Sequence, residues 1–230
     1  MADSSARSSA LASAGAYGRI LVVQGRLSRM WFALPVVLGV DLTLALGRGL
    51  PWRGELAWCI ESIAPAVLLL APFVAGVGAW QARRDAATDR NGLLRACARG
   101  SRHVAAQIAV GSLLVAGTHL LVLLGLAGIS LHTARIGTWP VGSVLVQLVA
   151  FPAFLALGHL VGHAVDHAVA PILAAVAATA LGYTDYLTRL PLGFLGDGTT
   201  GTLLGYHQSA LAVVGRVAWC TAVTALCLLP

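Results

Sequence analysis

Long apolar runs, separated by short polar segments, dominate the chain. A helix needs roughly 20 mostly apolar residues, at about 1.5 Å each, to cross the hydrocarbon core of a bilayer. The pattern predicts six such spans, over 31–47, 58–80, 104–128, 140–165, 168–187 and 209–229. Only Asp166 and His167 interrupt the apolar pattern between the fourth and fifth runs. We predict a tight helical hairpin there, because a single helix of about 50 residues is too long for one crossing.

The segment before the first span has its own pattern. Residues 16–30 carry apolar side chains at helical spacing, namely Ile20, Val23, Leu27 and Met30. Arginines lie along one flank of that stripe, which suits a helix resting on anionic headgroups. We therefore predict an interfacial amphipathic helix over 16–30, the alternative being that the first span simply begins early. The Ser/Ala-rich residues 1–14 are predicted to be a disordered tail.

Composition determines the class of protein. Hydrophobic residues make up 58% of the chain and charged residues 10%, with a mean hydropathy of +0.82. An average soluble domain has about 25% charged residues, which cover its surface. We therefore predict an all-α polytopic transmembrane bundle of about six spans, forming a single domain over 15–230.

The positions of the arginines predict the orientation. If the amino terminus is inside, the inner segments hold Arg7, Arg19, Arg26, Arg29, Arg83, Arg84, Arg90, Arg95, Arg99 and Arg102. The outer segments then hold only Arg48, Arg53, Arg135 and Arg189. Such a bias in short loops is typical of the cytoplasmic side. We predict a multi-pass protein of a bacterial cytoplasmic membrane with both termini in the cytoplasm and the Gly-rich loop 188–208 outside.

The polar stretch 81–103 joins the second and third spans on the predicted inner side. Most of its residues favour helix, and a small apolar stripe lies between its charged residues. The alternatives are a solvated charged loop and a short helix that docks into a cytoplasmic partner. In the second case the contact residues are Arg83, Arg84, Asp89, Arg90, Leu93, Leu94, Cys97 and Arg99.

This arrangement resembles the exporter permeases of the ATP-binding-cassette superfamily, of the six-span type that works as dimers with separately encoded ATPases. The first cytoplasmic loop of that family has a charged pair, a Gly, a Leu pair and a basic residue. In this chain the corresponding residues are Asp89, Arg90, Gly92, Leu93, Leu94 and Arg99. The segment LGHLVGHAVDHAVAPILAAVAATALGY at 157–183 is similar to the Gly-rich fourth and fifth spans of actinobacterial members.

The resemblance implies a permease subunit that forms the translocation path and is not itself an enzyme. A phosphate-binding GxxxxGK[ST] loop needs a lysine, and the sequence contains none. ATP and Mg²⁺ are therefore expected on a partner ATPase, and no cofactor is expected in this chain. The other expected partners are a second permease copy or a sister permease and the lipid bilayer, with no nucleic acid. Two alternatives to an exporter remain: a His-rich membrane protein for redox or metal handling, and a non-transporting assembly or immunity subunit.

Ionisable residues within the spans are costly and often functional. Asp41, His119 and Arg216 all fall slightly to the outer side of the midpoints of their spans. This shared depth predicts an intramembrane polar layer, and we hypothesise an Asp41–Arg216 ion pair with His119 nearby. The alternative is that each residue separately finds backbone carbonyls or water. Glu61 lies nearer the outer surface and is interpreted as a snorkelling side chain.

A histidine series, His159, His163 and His167, recurs at every fourth residue from the inner half of the fourth span into the inner headgroup region. Spacing of four places side chains on one face of a helix, as metal or bis-imidazole haem sites can require. Gly158 and Gly162 on the same helix form a small-xxx-small pattern that favours close packing against another helix. Helix packing and interface contacts are the favoured interpretation of the series, with a proton or substrate path and a metal or haem site as the alternatives.

Overall fold

The computed structural model describes residues 22, 25, 28–47, 54–88, 100–133, 139–183 and 209–228. Six α-helices account for most of these residues: α1 Leu34–Leu46, α2 Leu56–Thr88, α3 Gly100–Thr133, α4 Val141–Ala164, α5 Ala170–Gly182 and α6 Ala210–Leu228. A 3-10 turn, Arg29–Ala33, leads directly into α1. The fold is an all-α helical bundle, as the sequence predicts.

Four of these helices, α2, α3, α4 and α6, are long and apolar enough to cross a membrane. The apolar segments Met30–Leu46 and Ala170–Gly182 are shorter. The described helices therefore define a membrane protein, with four helices of spanning length and two shorter apolar ones packed among them. The predicted fifth span, 168–187, is longer than the helix, which ends at Gly182.

The predicted loop 81–103 is too long. Helix α2 continues to Thr88 and α3 begins at Gly100, so helix occupies both ends of that range. Arginine and alanine are good helix formers, and their run after Trp80 prolongs α2 beyond the apolar part of the span. Residues 89–99 lie outside the described residues, as do the predicted tail 1–14 and the loop 188–208.

Local signals set the start of the first span. The Ser28 hydroxyl accepts a hydrogen bond from the Met30 N–H at 3.2 Å and caps the 3-10 turn. The Trp31 indole donates to the Gly25 carbonyl at 2.8 Å. Of the predicted interfacial helix 16–30, the structure describes Val22 and Gly25 as helical, and the chain enters the 3-10 turn at Arg29.

The break between the fourth and fifth spans falls at the predicted hairpin. Helix α4 ends at Ala164, and α5 begins at Ala170. The Val169 N–H donates to the Nδ1 atom of His167 at 3.3 Å, in the turn between the two helices. Pro171 follows in the first turn of α5, where its missing N–H removes no helical hydrogen bond.

Helices α2 and α4 form the most extensive contact of the bundle, and both also contact α3 and α5. Glycine allows their backbones to approach closely. A Cβ atom on Gly162 would lie 2.8 Å from the Ala79 Cα, and one on Gly158 would lie 3.0 Å from the Ala75 Cα. The small-xxx-small pattern therefore packs α4 against α2, as the sequence predicts.

The remaining helices surround this pair. Helix α5 buries a small-residue stripe, Ala170, Ala174, Ala178 and Gly182, in the bundle, where it packs mainly on α2. Helix α1 lies against α2 and α3, and α6 lies mainly on α4. The outward faces carry exposed Leu, Ile and Val side chains, which suit contact with lipid.

Candidate functional site

Two helices meet at a buried acid and imidazole. The Nδ1 atom of His119 on α3 lies 3.0 Å from one carboxylate oxygen of Asp41 on α1 and 3.1 Å from the other. Both side chains are 0% exposed. Neither group can use water in this position, so each depends on partners inside the bundle.

The contact continues through α4 as a chain of polar groups. The Nε2 atom of His119 lies 3.0 Å from the Gln147 Oε1 atom. The Gln147 amide donates to the Ser143 hydroxyl at 3.1 Å. Ser143 is in turn hydrogen-bonded to the carboxylate of Glu61 on α2. Four helices are thus joined by consecutive hydrogen bonds from Asp41 to Glu61.

Arg216 on α6 lies at the Glu61 end of this chain, where its charge acts on the Glu61 carboxylate. The hypothesised Asp41–Arg216 ion pair stays a prediction, while the contacts described for Asp41 are with His119, which the hypothesis placed nearby. The interpretation of Glu61 as a snorkelling residue is wrong, since Glu61 is 7% exposed and bonded inside the bundle. Asp41, His119 and Arg216 do belong to one polar region, with Arg216 linked to it through Glu61.

The donors and acceptors of this chain can follow one another in a consistent order. The Glu61 carboxylate only accepts hydrogen bonds, so the Ser143 hydroxyl donates to it and accepts from the Gln147 amide. The Gln147 oxygen then faces His119, whose Nε2 must carry a proton to donate. One further proton is needed between Nδ1 of His119 and Asp41 for their contact to be a hydrogen bond. An imidazolium beside a carboxylate and a neutral imidazole beside a protonated carboxyl both supply that proton.

A second polar cluster lies at the other end of the bundle. Asp85, near the end of α2, accepts a hydrogen bond from the Gln107 amide and lies 3.7 Å from His103 Nε2. Gln107 and His103 are one turn apart on α3 and contact each other at 3.1 Å. These side chains are partly exposed and hold the end of α2 against the start of α3.

The histidine series is not a continuous face. His159 is 1% exposed, and neither of its ring nitrogens has a hydrogen-bond partner among the described residues. His163 is exposed on the same helix, with its ring centroid 6.3 Å from that of His159. His167 does not continue the series, because α4 ends at Ala164 and His167 lies in the turn before α5.

Two of the eight predicted partner-contact residues lie in the part of the chain that the structure describes. Arg83 and Arg84 lie in the last two turns of α2, with Arg84 exposed. The others lie outside the described residues: Asp89, Arg90, Leu93, Leu94, Cys97 and Arg99.

Sequence reasoning missed the uncharged links of the buried chain, Ser143 and Gln147. Both are polar, lie four residues apart and interrupt an apolar run, which is a signal that could have identified them. It also missed the contacts of Asp85 with His103 and Gln107, because all three lay in or beside a segment predicted to be a loop.

Among the residues that the structure describes, no group of three His, Cys, Asp or Glu side chains is placed to hold a metal ion. Comparisons with protein-family models, with curated proteins and with solved structures find no match for this chain. The class that fold and site define is therefore a polytopic helical membrane protein with a buried polar chain.

Proposed function

We propose that the chain is the permease subunit of an ATP-driven exporter, coupled to an ATPase on a separate polypeptide. The translocation path would form between this subunit and a second permease, either another copy or a sister chain. The orientation that fits this proposal has both termini and residues 89–99 on the cytoplasmic side.

The observation that carries the proposal is the length of α2 and α3. With 33 and 34 residues, they reach about 50 Å at 1.5 Å per residue, against a hydrocarbon core of about 30 Å. Helix α2 continues for about 12 Å beyond Trp80, and α3 begins before its apolar stretch. The excess length thus supports a pair of helices that carries 89–99 away from the bilayer.

The polar cluster at these helix ends supports the same role. Asp85 contacts both His103 and Gln107, so α2 and α3 are held together on either side of the connecting segment. A movement imposed on the segment would reach both helices as a unit. Arg83 and Arg84 lie beside it and add positive charge that suits an acidic partner surface.

The chain contains no lysine and so no GxxxxGK[ST] loop. An ATP-driven mechanism therefore requires a partner that binds nucleotide. The permease in such a machine breaks no bond and converts rigid-body motion of the partner into alternating access.

The test is to purify the tagged full chain from membranes of its native host in a mild detergent and to measure Mg²⁺-dependent ATP hydrolysis in the eluate. We expect hydrolysis with the wild type and a strong loss with R83E/R84E. The matched control is H132E/T133E, which adds two acidic residues at the opposite end of α3, where both side chains are exposed.

The control should retain wild-type hydrolysis, because its end of α3 faces away from the proposed partner. Absence of ATP hydrolysis from a monodisperse wild-type preparation contradicts the proposal. Equal loss in the two double variants contradicts the assignment of the contact to the α2 end.

A further inference from the structure

A ridge of residues winds along α4 from one end of the helix to the other. Consecutive members are four residues apart, so each is turned by about 40° from the one before it, and the ridge makes about half a turn around the helix over its length. They are Ser143, Gln147, Phe151, Leu155, His159 and His163. We call this ridge the α4 stripe. Its 20 residues of separation correspond to about 30 Å, which is the thickness of the hydrocarbon core.

Both ends of the α4 stripe are polar, and each contains a buried polar residue. At one end Ser143 and Gln147, 4% and 0% exposed, belong to the chain that joins Asp41 to Glu61. At the other end His159 is buried and lies beside the exposed His163. A path from the exposed end inward therefore begins at His163 and reaches His159.

The middle of the α4 stripe is apolar. Phe151 and Leu155 are both 0% exposed. The Phe151 ring meets the His119 ring edge-on, with centroids 5.3 Å apart. The apolar part of the stripe therefore begins directly beside the chain of polar groups from Asp41 to Glu61. Gln147 and His159 are 12 residues apart, about 18 Å along the axis, which no single hydrogen bond can span.

His159 is the feature that helix packing does not explain. A buried imidazole without a partner costs free energy, and a buried polar group normally has one. Within the described residues both its ring nitrogens lack a hydrogen bond, although Asp85, His103 and His163 are close enough for their charges to act on it. A leucine or phenylalanine would fill such a position at lower cost.

We propose that the α4 stripe is a route for protons across the bundle, closed in this conformation by Phe151 and Leu155. The ligand is the hydrated proton. An imidazole accepts a proton on one ring nitrogen and releases one from the other, which passes a proton on and leaves the ring in its other tautomer until it rotates back. His159 would do this at one end and His119 at the other, and opening requires the two apolar side chains to separate enough to admit water.

The charged groups around the route are consistent with a cation as its ligand. Asp85 and His103 act on His159 from α2 and α3. Asp41 faces His119 from α1, while Glu61 from α2 and Arg216 from α6 stand at the Ser143 end. Three of these groups are carboxylates, and intramembrane series of acids and histidines are typical of proton paths. This inference does not depend on an ATPase partner.

The test uses the purified full chain in liposomes that contain a pH-sensitive dye, with a potassium diffusion potential to drive proton entry. We expect slow uptake with the wild type and a several-fold faster rate with F151S. Adding H159L to F151S should return the rate to the wild-type value. The matched control is F154S, which removes a ring that is also 0% exposed on α4 but lies off the stripe.

Three results would overturn the proposal: a monodisperse F151S protein with wild-type uptake, equal uptake in F151S and F154S, or fast uptake that persists in F151S/H159L. The first shows that the apolar pair is no barrier, and the second that any packing defect leaks. If F151S does not fold, L155T replaces it, because it also places a hydroxyl on the stripe. Its proton uptake is then compared in the same way with that of the wild type, of F154S and of L155T/H159L.

Discussion

The His119 imidazole and the Asp41 carboxylate face each other at 3.0 Å, and neither is exposed. The contact joins α3 to α1 across 78 residues of sequence. Burial of these two polar groups costs free energy, and the cost is offset only while both partners are present, so their contribution to stability has to be measured with a double-mutant cycle.

Loss of either partner should therefore be costly. We expect D41N and H119N each to lower the free energy of unfolding by about 3–5 kcal/mol, because the remaining group loses its compensating partner in the bundle. The double variant should lose less than the sum of the two, by at least about 0.5 kcal/mol. Reversible unfolding in mixed detergent micelles measures all three.

The control for this cycle is T43V, on the same helix as Asp41. Among the described residues, the Thr43 hydroxyl bonds only to the Gly39 carbonyl, and Thr43 is exposed. Its effect should stay within about 0.5 kcal/mol. Strict additivity of D41N and H119N would show that the two side chains do not interact.

A second cycle distinguishes the two possible partners of Arg216. We expect R216Q to destabilise the protein and E61Q to restore part of the loss, because the two changes together leave no uncompensated charge at that end of the chain. D41N should give no such recovery in R216Q. Recovery by D41N and not by E61Q would support the Asp41–Arg216 pair and contradict the contacts described above.

The close packing of α2 and α4 predicts the sign of the stability change when alanine replaces a glycine at their contact. A Cβ on Gly162 would meet the Ala79 Cα and the Ala82 Cβ, each at 2.8 Å, so G162A should destabilise the protein by about 1–3 kcal/mol. Gly125 on α3 has nothing within 4 Å of the same position. G125A should leave stability unchanged or raise it by up to about 1 kcal/mol through helix propensity.

Thermal unfolding of both glycine variants in the same detergent compares the two effects. A stabilised G162A protein would mean that α2 and α4 stand further apart than the structure shows. A destabilised G125A protein would indicate a contact of that face with something outside the described residues.

The orientation can be tested at the two ends of the long helices. In a background without the native cysteines, A86C near the end of α2 and T133C at the far end of α3 should react from opposite sides of the membrane. We expect an impermeant maleimide to label T133C in intact cells and A86C only after permeabilisation. Labelling of A86C in intact cells would reverse the proposed topology and remove the basis for a cytoplasmic ATPase contact.

Apolar runs predicted the helices well because the thickness of the bilayer sets both the length of an apolar run and the length of the helix that it forms. The Asp166–His167 interruption identified the break between α4 and α5, since two polar residues cannot lie in the middle of an uninterrupted span. Helix ends were less predictable, because the helix-forming residues after Trp80 extend α2 without any apolar signal.

Depth along a span follows from counting residues, and Asp41, His119 and Arg216 were placed in one region on that basis. Which of them touch depends on the rotation of each helix and on which helices are neighbours, and hydropathy contains neither. Counting therefore placed His119 near Asp41 but could not identify it as the residue that contacts the Asp41 carboxylate. His159 was assigned to helix packing by its spacing from Gly158 and Gly162, and its unpartnered nitrogens became apparent only in three dimensions.

The glycine–alanine contact between α2 and α4 has a mechanical consequence. Attraction between backbones that nearly touch falls off within a fraction of an ångström, so even a narrow gap forfeits much of it. These two helices therefore form the stiff spine of the bundle. A change of conformation that keeps this contact would leave α2 and α4 together and move the more peripheral α1 and α6 relative to that spine.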